Sequence, residues 1–288
     1  MSKLSNVKKL GVFAFSALTS AIVCASPSTP LVSDVSVLSS SLAPAPSASD
    51  LSSLVNEHFG KDMPIFNVTK DPLSGLYLIR LTDGSLMYTN EKADFLIASP
   101  RGKQPQLYSY IPELKDNNVI NTTMALSSSL NMSIMNNVKD VIEIKAPNEK
   151  YIVTAFIDSA CHYCKTMNDN IDSYTKAGIT IRYVPFPIFG PASADALARI
   201  MALPVEQRAS KLTEIERYFA ENQGKPLDAK ALGLSELTPA SKEAVMNGRK
   251  FGLQLGISGT PGLVFQDGDV ESRYMTADEI IKKLNGKK

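Results

Sequence analysis

The sequence predicts an α/β domain in the C-terminal half of the chain, preceded by a smaller α+β domain and a linker helix. Three observations predict this. From about residue 140, strand-length apolar runs alternate with stretches of helical period, in the order β, β, α, β, two or three helices, β, β, α. Residues 64–97 instead show a period of two. Finally, Cys161 and Cys164 lie where a buried strand passes into a helix.

The N-terminus predicts an export signal over residues 1–25. Three lysines precede an apolar run, 10–23, which is too short to span a bilayer comfortably. Cleavage after Ala25 fits the small or modest side chains before it, and a lipoprotein with Cys24 lipidated is the alternative. The mature chain would then keep Cys161 and Cys164 as its only cysteines, in a compartment where disulfides form.

Two predicted regions follow the signal. Residues 26–49 are rich in Ser, Pro and Ala and predict a disordered tether, because they offer little apolar surface to bury. Residues 50–100 predict a small β domain with a first helix capped by Asp50. Its strands are predicted at 65–68, 76–81, 85–89 and 93–97, with a hairpin turn at Asp83-Gly84. A sheet this small leaves an unpaired edge, so we expect it to be a dimerisation module; a sheet covered by its own helix is the alternative.

Residues 101–139 predict a linker with one helix, roughly 120–138, between the two domains. Residues 140–288 then predict the α/β domain. Its strands are predicted at 141–145, 151–157, 179–186, 262–266 and 270–274. Its helices are predicted from Cys161 to Gly178, at 191–203, 205–223 and 238–255, and from the capping box at Thr276 to Gly286.

The pair Cys161 and Cys164 carries the predicted chemistry. Two thiols at positions i and i+3 of a helix face the same side and lie close enough to bridge. Cys161 is nearest the positive end of the helix dipole and is expected to be the more exposed, which predicts a reactive thiolate nucleophile. Cys164, one turn further in, is predicted to be the resolving thiol. A CxxC at a strand-to-helix junction is a thioredoxin-like signature.

The two intervening residues, His162 and Tyr163, are candidate modulators of the pair. A protonated or donating His162 would favour the thiolate and make the disulfide form more oxidising. A zinc site would need four ligands, and the mature chain offers only His58 and His162 besides the thiols, so we predict no metal. No cofactor is predicted beyond a redox-active Cys161–Cys164 disulfide. The net charge of +1 at pH 7 gives no indication of a nucleic-acid partner.

A second motif, Gly259-Thr260-Pro261, immediately precedes the last predicted hairpin. A proline between glycines just before a strand predicts a fixed, even cis, peptide bond. The Thr260 backbone would then face the thiols and pair with an extended substrate chain. On its own the motif is an ordinary tight turn; together with the thiol pair and the element order, a substrate-binding loop is the favoured interpretation.

These motifs resemble the periplasmic disulfide isomerases of the DsbC/DsbG family, and DsbC more closely. The resemblance rests on Lys145-Ala146-Pro147 through Asp158, the Cys-His-Tyr-Cys motif, Gly178 to Tyr183 with Phe186-Pro187, and Gln254 through Pro261. It is specific over residues 140–288 and looser over 50–138.

The resemblance implies a thioredoxin-like fold with a helical insertion, preceded by a cystatin-like dimerisation domain. It implies a periplasmic homodimer with isomerase and chaperone activity, acting on misfolded or mis-oxidised exported proteins. A membrane reductant of the DsbD type would keep the pair reduced. Cys161 carries over as nucleophile, Cys164 as resolving thiol, and Thr260 with a cis Pro261 as the substrate loop. His162 departs from the small residue typical of the family.

Three hypotheses therefore remain open at the sequence level. The first is a disulfide isomerase or reductase. The second is a dithiol oxidase, which His162 favours. The third is a redox-independent dimeric holdase or assembly factor in which the thiol pair is incidental.

Overall fold

The structure, a computed structural model, describes residues 48–59, 63–98, 105–110, 119–222 and 227–286. The predicted signal peptide and the predicted tether as far as residue 47 lie outside these ranges. The first helix begins at Ala48, so Asp50 lies in its first turn and the prediction of Asp50 as the N-cap is wrong. A carboxylate in the first turn still favours the helix through its dipole.

A helix and a four-stranded antiparallel sheet form the N-terminal part. The elements are α1 (Ala48–Phe59), β1 (Ile65–Lys70), β2 (Tyr77–Leu81), β3 (Leu86–Thr89) and β4 (Ile97–Ala98), with the strands in the order β1-β2-β3-β4. Leu51 and Val55 of α1 are fully buried in a cluster with Tyr77 and Ile79 of the sheet. Each such side chain contributes about 1.5–3 kcal/mol through burial.

The hairpin turn at Asp83-Gly84 is confirmed, and Gly84 has the positive φ of +82° that this turn needs. The predicted strand at 93–97 is wrong, because only Ile97–Ala98 pairs with β3. Ala93 has a φ of +51°, and the Asn90 side-chain oxygen accepts from the Asp94 amide at 2.9 Å. An asparagine-stabilised turn therefore replaces most of that strand.

The linker region contains a short strand pair that the sequence did not predict. Its elements are β5 (Tyr108–Tyr110), β6 (Val119–Asn121) and α2 (Thr122–Met135). The predicted linker helix is confirmed as α2, and it begins where the Asn121 side chain accepts from the Met124 amide at 2.9 Å. Ile134 of α2 is buried in a cluster with Phe156 and Val184, so the helix packs directly on the C-terminal sheet.

The C-terminal sheet has five strands in the order β11-β10-β8-β9-β7. They are β7 (Ile142–Ile144), β8 (Tyr151–Ile157), β9 (Ile179–Pro185), β10 (Gly262–Val264) and β11 (Val270–Glu271). The central pair β8–β9 is parallel and the other neighbours are antiparallel. The predicted strands are all present, and the final hairpin is shorter than predicted. Because β8 and β9 are parallel, their carboxyl ends lie side by side at the same end of the sheet.

In the described part of residues 140–288, six helices accompany this sheet: α3 (His162–Asp169), α4 (Ile171–Lys176), α5 (Pro191–Met201), α6 (Val205–Glu221), α7 (Pro239–Gln254) and α8 (Ala277–Asn285). The predicted capping box at Thr276 is confirmed. The continuous helix predicted from Cys161 to Gly178 is wrong, because Asn170 (φ −99°, ψ 17°) separates α3 from α4. Its side-chain amide donates to the Thr166 carbonyl at 2.8 Å, which competes with continued helix bonding.

Side chains of β8 alternate between two clusters on opposite faces of the sheet. Val153, Ala155 and Ile157 lie in the larger cluster, which also takes side chains from α3, α5, α6 and α8. Phe156 lies in the smaller cluster with residues of α2 and of the segment after α7. This period of two places helices on both faces, the three-layer arrangement that the sequence predicted.

Candidate active site

The first thiol lies at the point where β8 turns into α3. Cys161 is the N-cap residue of α3 (φ −83°, ψ 123°), and its carbonyl accepts the first helical hydrogen bond, from Lys165 at 3.1 Å. The Cys161 amide donates to the Asp158 carbonyl at 3.1 Å, which closes the turn after the strand. The thiol therefore stands at the positive end of the helix, where unpaired amides favour an anion.

The two thiols, which are free in this structure, have opposite acid–base character. A hydrogen bond from the Cys164 thiol, reinforced by backbone amides and, once the sulfur is a thiolate, by the Thr260 hydroxyl, lowers the pKa of Cys161 from 9.0 to about 6 against the effect of burial. Burial, followed by the neighbouring Cys161, raises the pKa of Cys164 well above its ordinary value. Cys161 is thus the thiolate and Cys164 the protonated thiol at neutral pH.

Cys161 is less open than its position predicted. Only 4% of its surface is exposed, because the Thr260 loop covers it, while Cys164 is completely buried. The Cys161 Sγ donates to the Thr260 carbonyl oxygen at 3.2 Å. The expected order of exposure holds, yet a substrate must approach Cys161 across this loop.

The predicted loop lies opposite the thiol, and the Thr260–Pro261 peptide bond is cis, as predicted. Gly259 and Thr260 are half-buried and Pro261 is buried immediately before β10. The Thr260 Oγ1 is buried and has no hydrogen-bond partner among the described residues. Its hydroxyl is therefore available to donate to a Cys161 thiolate, the form in which the sulfur no longer donates.

The two intervening residues lie on the surface. Tyr163 is 58% exposed, and its ring stacks on that of Tyr274 with the centroids 6.4 Å apart. The exposed His162 ring meets Tyr163 edge-on at 5.5 Å. Both side chains flank the nucleophile, and the effect of His162 on the redox balance of the pair stays a prediction.

Asp158 is a residue of the site that the sequence analysis did not assign a role. It is fully buried, and its carboxylate accepts from the amides of Ala160, Ile188 and Phe189 at 2.6–2.8 Å. The Ser193 hydroxyl donates to the same carboxylate at 3.0 Å. Asp158 thereby joins the turn before Cys161 to the segment after β9. Its position directly after a buried strand was the one sequence signal available.

A second missed residue is Glu216 of α6. It is 2% exposed and accepts from the Asn168 side-chain amide at 2.8 Å, while its Oε1 has no hydrogen-bond partner among the described residues. Burial raises the pKa of Glu216 to about 8. Asn168 follows Cys164 by four residues on α3, so this carboxyl group lies beneath the resolving thiol. No local pattern distinguishes Glu216 from the other acidic residues of its helix.

In the residues that the structure describes, no group of three or more His, Cys, Asp or Glu side chains is arranged to hold a metal ion. No helix in the same ranges is both long and apolar enough to cross a bilayer.

Known proteins similar to this chain share the predicted chemistry. The family described as "Thioredoxin-like domain" matches residues 138–287, more than half of the chain. The thiol:disulfide interchange protein DsbC of Pasteurella multocida is 26% identical over 219 residues, covering 75% of this chain and 83% of the relative. DsbC of Escherichia coli K12 is 31% identical over 148 residues, covering 51% of this chain and 56% of the relative.

Two solved structures show a more distant likeness. The catalytic domain of Proteus mirabilis ScsC has 19% identity and a TM-score of 0.46, covering 56% of this chain and 97% of that one. Helicobacter pylori DsbG has 18% identity and a TM-score of 0.41, covering 75% of this chain and 99% of that one. Likeness at this level carries no argument about activity.

The family match and the DsbC relatives agree with the site described above. A paired thiol stands at the start of the first helix after the central strand, with a cis-proline loop facing it. The chain therefore belongs to the thioredoxin-like domain family, within which it is a thiol-disulfide oxidoreductase similar to DsbC.

Proposed function

We propose that the protein is a thiol-disulfide isomerase and reductase that rearranges incorrect disulfides in exported proteins. The observation that carries the proposal is the asymmetry of the thiol pair. Cys161 stands at a helix N-terminus, 3.2 Å from the Thr260 carbonyl, with its pKa lowered to about 6. Cys164 is buried one turn further in, with its pKa raised. Cys161 is thus suited to attack a substrate disulfide, while Cys164 stays protonated until a mixed disulfide has formed.

The first step is attack of the Cys161 thiolate on one sulfur of a substrate disulfide. The substrate S–S bond breaks, a mixed disulfide forms with Cys161, and the other substrate sulfur leaves as a thiolate. In isomerisation, a substrate thiolate then attacks a different disulfide, and the last exchange releases Cys161 as the thiolate. No electrons are gained or lost overall.

The second route is reduction, and it uses Cys164. When the substrate does not rearrange, the Cys164 thiol loses its proton and attacks the Cys161 sulfur. A Cys161–Cys164 disulfide forms and the substrate leaves as a dithiol. The enzyme has then given two electrons to the substrate, and a dithiol reductant of the DsbD type must return them. No other cofactor enters this cycle.

Surfaces near the thiols support binding of unfolded chains. Tyr163, Ile188 and Phe189 are exposed apolar side chains, and Asp158 holds the last two beside the turn that leads to Cys161. We expect the Thr260 backbone to pair with an extended segment of the substrate. We infer chaperone-like contact with apolar stretches of misfolded substrates, since neighbouring exposed apolar side chains favour such segments.

Export to the periplasm and dimerisation complete the proposal. The sequence pattern of residues 1–25 and the DsbC relatives support export. In the described part of the chain, β1 and β4 are the outer strands of the N-terminal sheet, and an outer strand is a template for pairing with a second copy. The solution mass of the mature protein tests dimerisation, and a monomer at micromolar concentration would contradict that part of the proposal.

Reactivation of scrambled ribonuclease tests the catalytic proposal. We expect the wild-type protein to restore activity and Cys161→Ser to lose it, while Cys164→Ser keeps part of the isomerisation but not the reduction. A Cys161→Ser variant that reactivates ribonuclease as the wild type does would refute the proposal. Suppression of aggregation, unchanged in the double variant Cys161→Ser with Cys164→Ser, would show that chaperone-like binding is independent of the thiols.

A dithiol oxidase is the second candidate, and the lowered pKa of Cys161 favours it. A more acidic thiol is a better leaving group, so the disulfide form passes more readily to a substrate. The reduction potential separates the two functions. A potential near that of strong oxidants, together with a monomeric protein and poor ribonuclease reactivation, would support the oxidase.

A further inference from the structure

A buried arginine joins the N-terminal sheet to the C-terminal domain. Arg80 of β2 is 3% exposed, and its Nη1 donates to two groups: the Asn131 side-chain oxygen of α2 at 2.6 Å and the Gln254 carbonyl of α7 at 2.9 Å. Arg80 and Gln254 are 174 residues apart in the chain. A single side chain therefore connects the sheet, the linker helix and the end of α7.

The Gln254 carbonyl belongs to the negative end of α7. This helix ends in a Schellman motif, in which the Gly256 amide donates to the Leu253 carbonyl and the Ile257 amide to the Gly252 carbonyl, both at 2.9 Å. Carbonyls of the last turn attract a cation. No carboxylate in the described ranges forms an ion pair with Arg80. Burial lowers the pKa of Arg80 to about 10, so it remains a cation at neutral pH, and the Gln254 carbonyl and the Asn131 side-chain oxygen accept its hydrogen bonds.

The β2–β3 turn makes a second contact with the same place. A Cβ built on Gly84 would lie 2.3 Å from the Gly256 Cα and 2.6 Å from the Leu253 carbonyl oxygen. The two backbones are thus packed directly against each other. Gly256 is only four residues before Thr260, so the turn of the N-terminal sheet touches the base of the loop that faces Cys161.

The linker helix reaches the other side of that loop. The Asn131 side-chain amide, whose oxygen accepts from Arg80, donates to the Gly268 carbonyl at 2.7 Å. A Cβ on Gly268 would lie 2.2 Å from the Ser128 carbonyl oxygen. Gly268 is in the turn between β10 and β11. The segment that carries Thr260 is therefore held before the loop by Arg80 and Gly84, and after β10 by Asn131.

We propose that Arg80 and Gly84 are positioning residues that hold the Thr260 loop against Cys161 from the N-terminal sheet of the same chain. The proposal rests on the proposed role of Cys161 as the attacking thiolate. It assigns the sheet a second task, independent of any pairing between copies: the sheet supports the active-site loop of its own chain.

The test compares Gly84→Ala with Gly75→Ala in the full-length, reduced protein. Both glycines have a positive φ, +82° and +73°, but a Cβ on Gly75 meets nothing within 4 Å. Comparing the two variants separates the effect of the contact with Gly256 from the backbone cost of replacing a glycine. The readout is the pH profile of iodoacetamide alkylation at Cys161, followed by mass spectrometry of its peptide.

We expect Gly84→Ala to move the midpoint of this profile upward by about half a pH unit, because a displaced loop takes the Thr260 hydroxyl away from the thiolate. Below the midpoint, alkylation then slows about threefold. Gly75→Ala should follow the wild-type profile. The same profile in both variants, whether wild-type or shifted, would overturn the proposal. Alkylation needs no substrate disulfide, so this result is distinguishable from a failure of the isomerase assay.

A measurement on the wild-type protein keeps the proposal testable if Gly84→Ala does not fold. Hydrogen exchange at increasing urea should show residues 253–262 losing protection at the concentration at which residues 77–89 open, because the loop loses its support with the sheet. Arg80→Lys should lower that concentration for both segments. Full protection of 253–262 after 77–89 has opened would overturn the proposal.

Discussion

Replacing the buried carboxyl of Glu216 by an amide should change how the stability of the protein depends on pH. Glu216 is 2% exposed, accepts one hydrogen bond from Asn168, and has an ordinary pKa of 4.5 that burial raises to about 8. The folded protein therefore keeps a proton that the unfolded chain has lost. For a raised pKa of this kind, the contribution to stability is complete below pH 4.5 and is lost as the pH rises toward 8.

The size of the effect follows from that shift. Between pH 5 and pH 8, a single carboxyl with these two pKa values changes the free energy of unfolding by about 3 kcal/mol. Glu216→Gln keeps an acceptor for Asn168 and cannot ionise. We expect the variant to gain about 3 kcal/mol relative to the wild type across this pH interval. Taking the difference between the proteins removes the separate pH dependence that Cys161 contributes to both.

Urea unfolding of the reduced proteins at pH 5, 6, 7 and 8 measures this difference. Glu206→Gln is the matched control, because Glu206 is an exposed carboxyl on the same helix and should leave the pH dependence unchanged. A difference between wild type and Glu216→Gln that stays constant from pH 5 to pH 8 would refute the assignment of a protonated carboxyl beneath the thiols.

Three further outcomes follow from the site and its supports. Alkylation of Cys161 in the wild-type protein should show a midpoint near pH 6, and a midpoint above pH 8 would contradict the stabilised thiolate. Asp158→Ala should cost about 3–5 kcal/mol in urea unfolding, since it leaves three partly buried amides and the buried Ser193 hydroxyl without this acceptor, whereas a loss below about 1 kcal/mol would contradict that role. Thr276→Ala should lower the stability by about 1 kcal/mol, since it removes a helix cap, without moving the alkylation midpoint, since no residue of this helix is among the groups that lower the pKa of Cys161.

The contacts by which Arg80 and Gly84 hold the Thr260 loop could not be predicted from the sequence, because the residues that meet are far apart in the chain. Arg80 lies within an apolar strand, Tyr77–Leu81, yet its partners are Asn131 and a carbonyl 174 residues away. Side-chain periodicity predicts which face of a strand is buried and not what lies against it. The strand pair β5–β6 was missed for a related reason: strands of three residues carry too few positions to show a period.

Local chemistry, by contrast, was predictable wherever neighbouring residues decide it. The sequence by itself determined the thiol pair at a helix start, the turn at Asp83-Gly84, the capping box at Thr276 and the fixed bond before Pro261, because each depends on backbone geometry within a few residues. Only the tertiary structure decided the cover over Cys161, the buried carboxyl of Glu216 and the contact of Gly84 with Gly256. These depend on which distant segments meet in a low-dielectric interior, and that is fixed by packing of the whole chain.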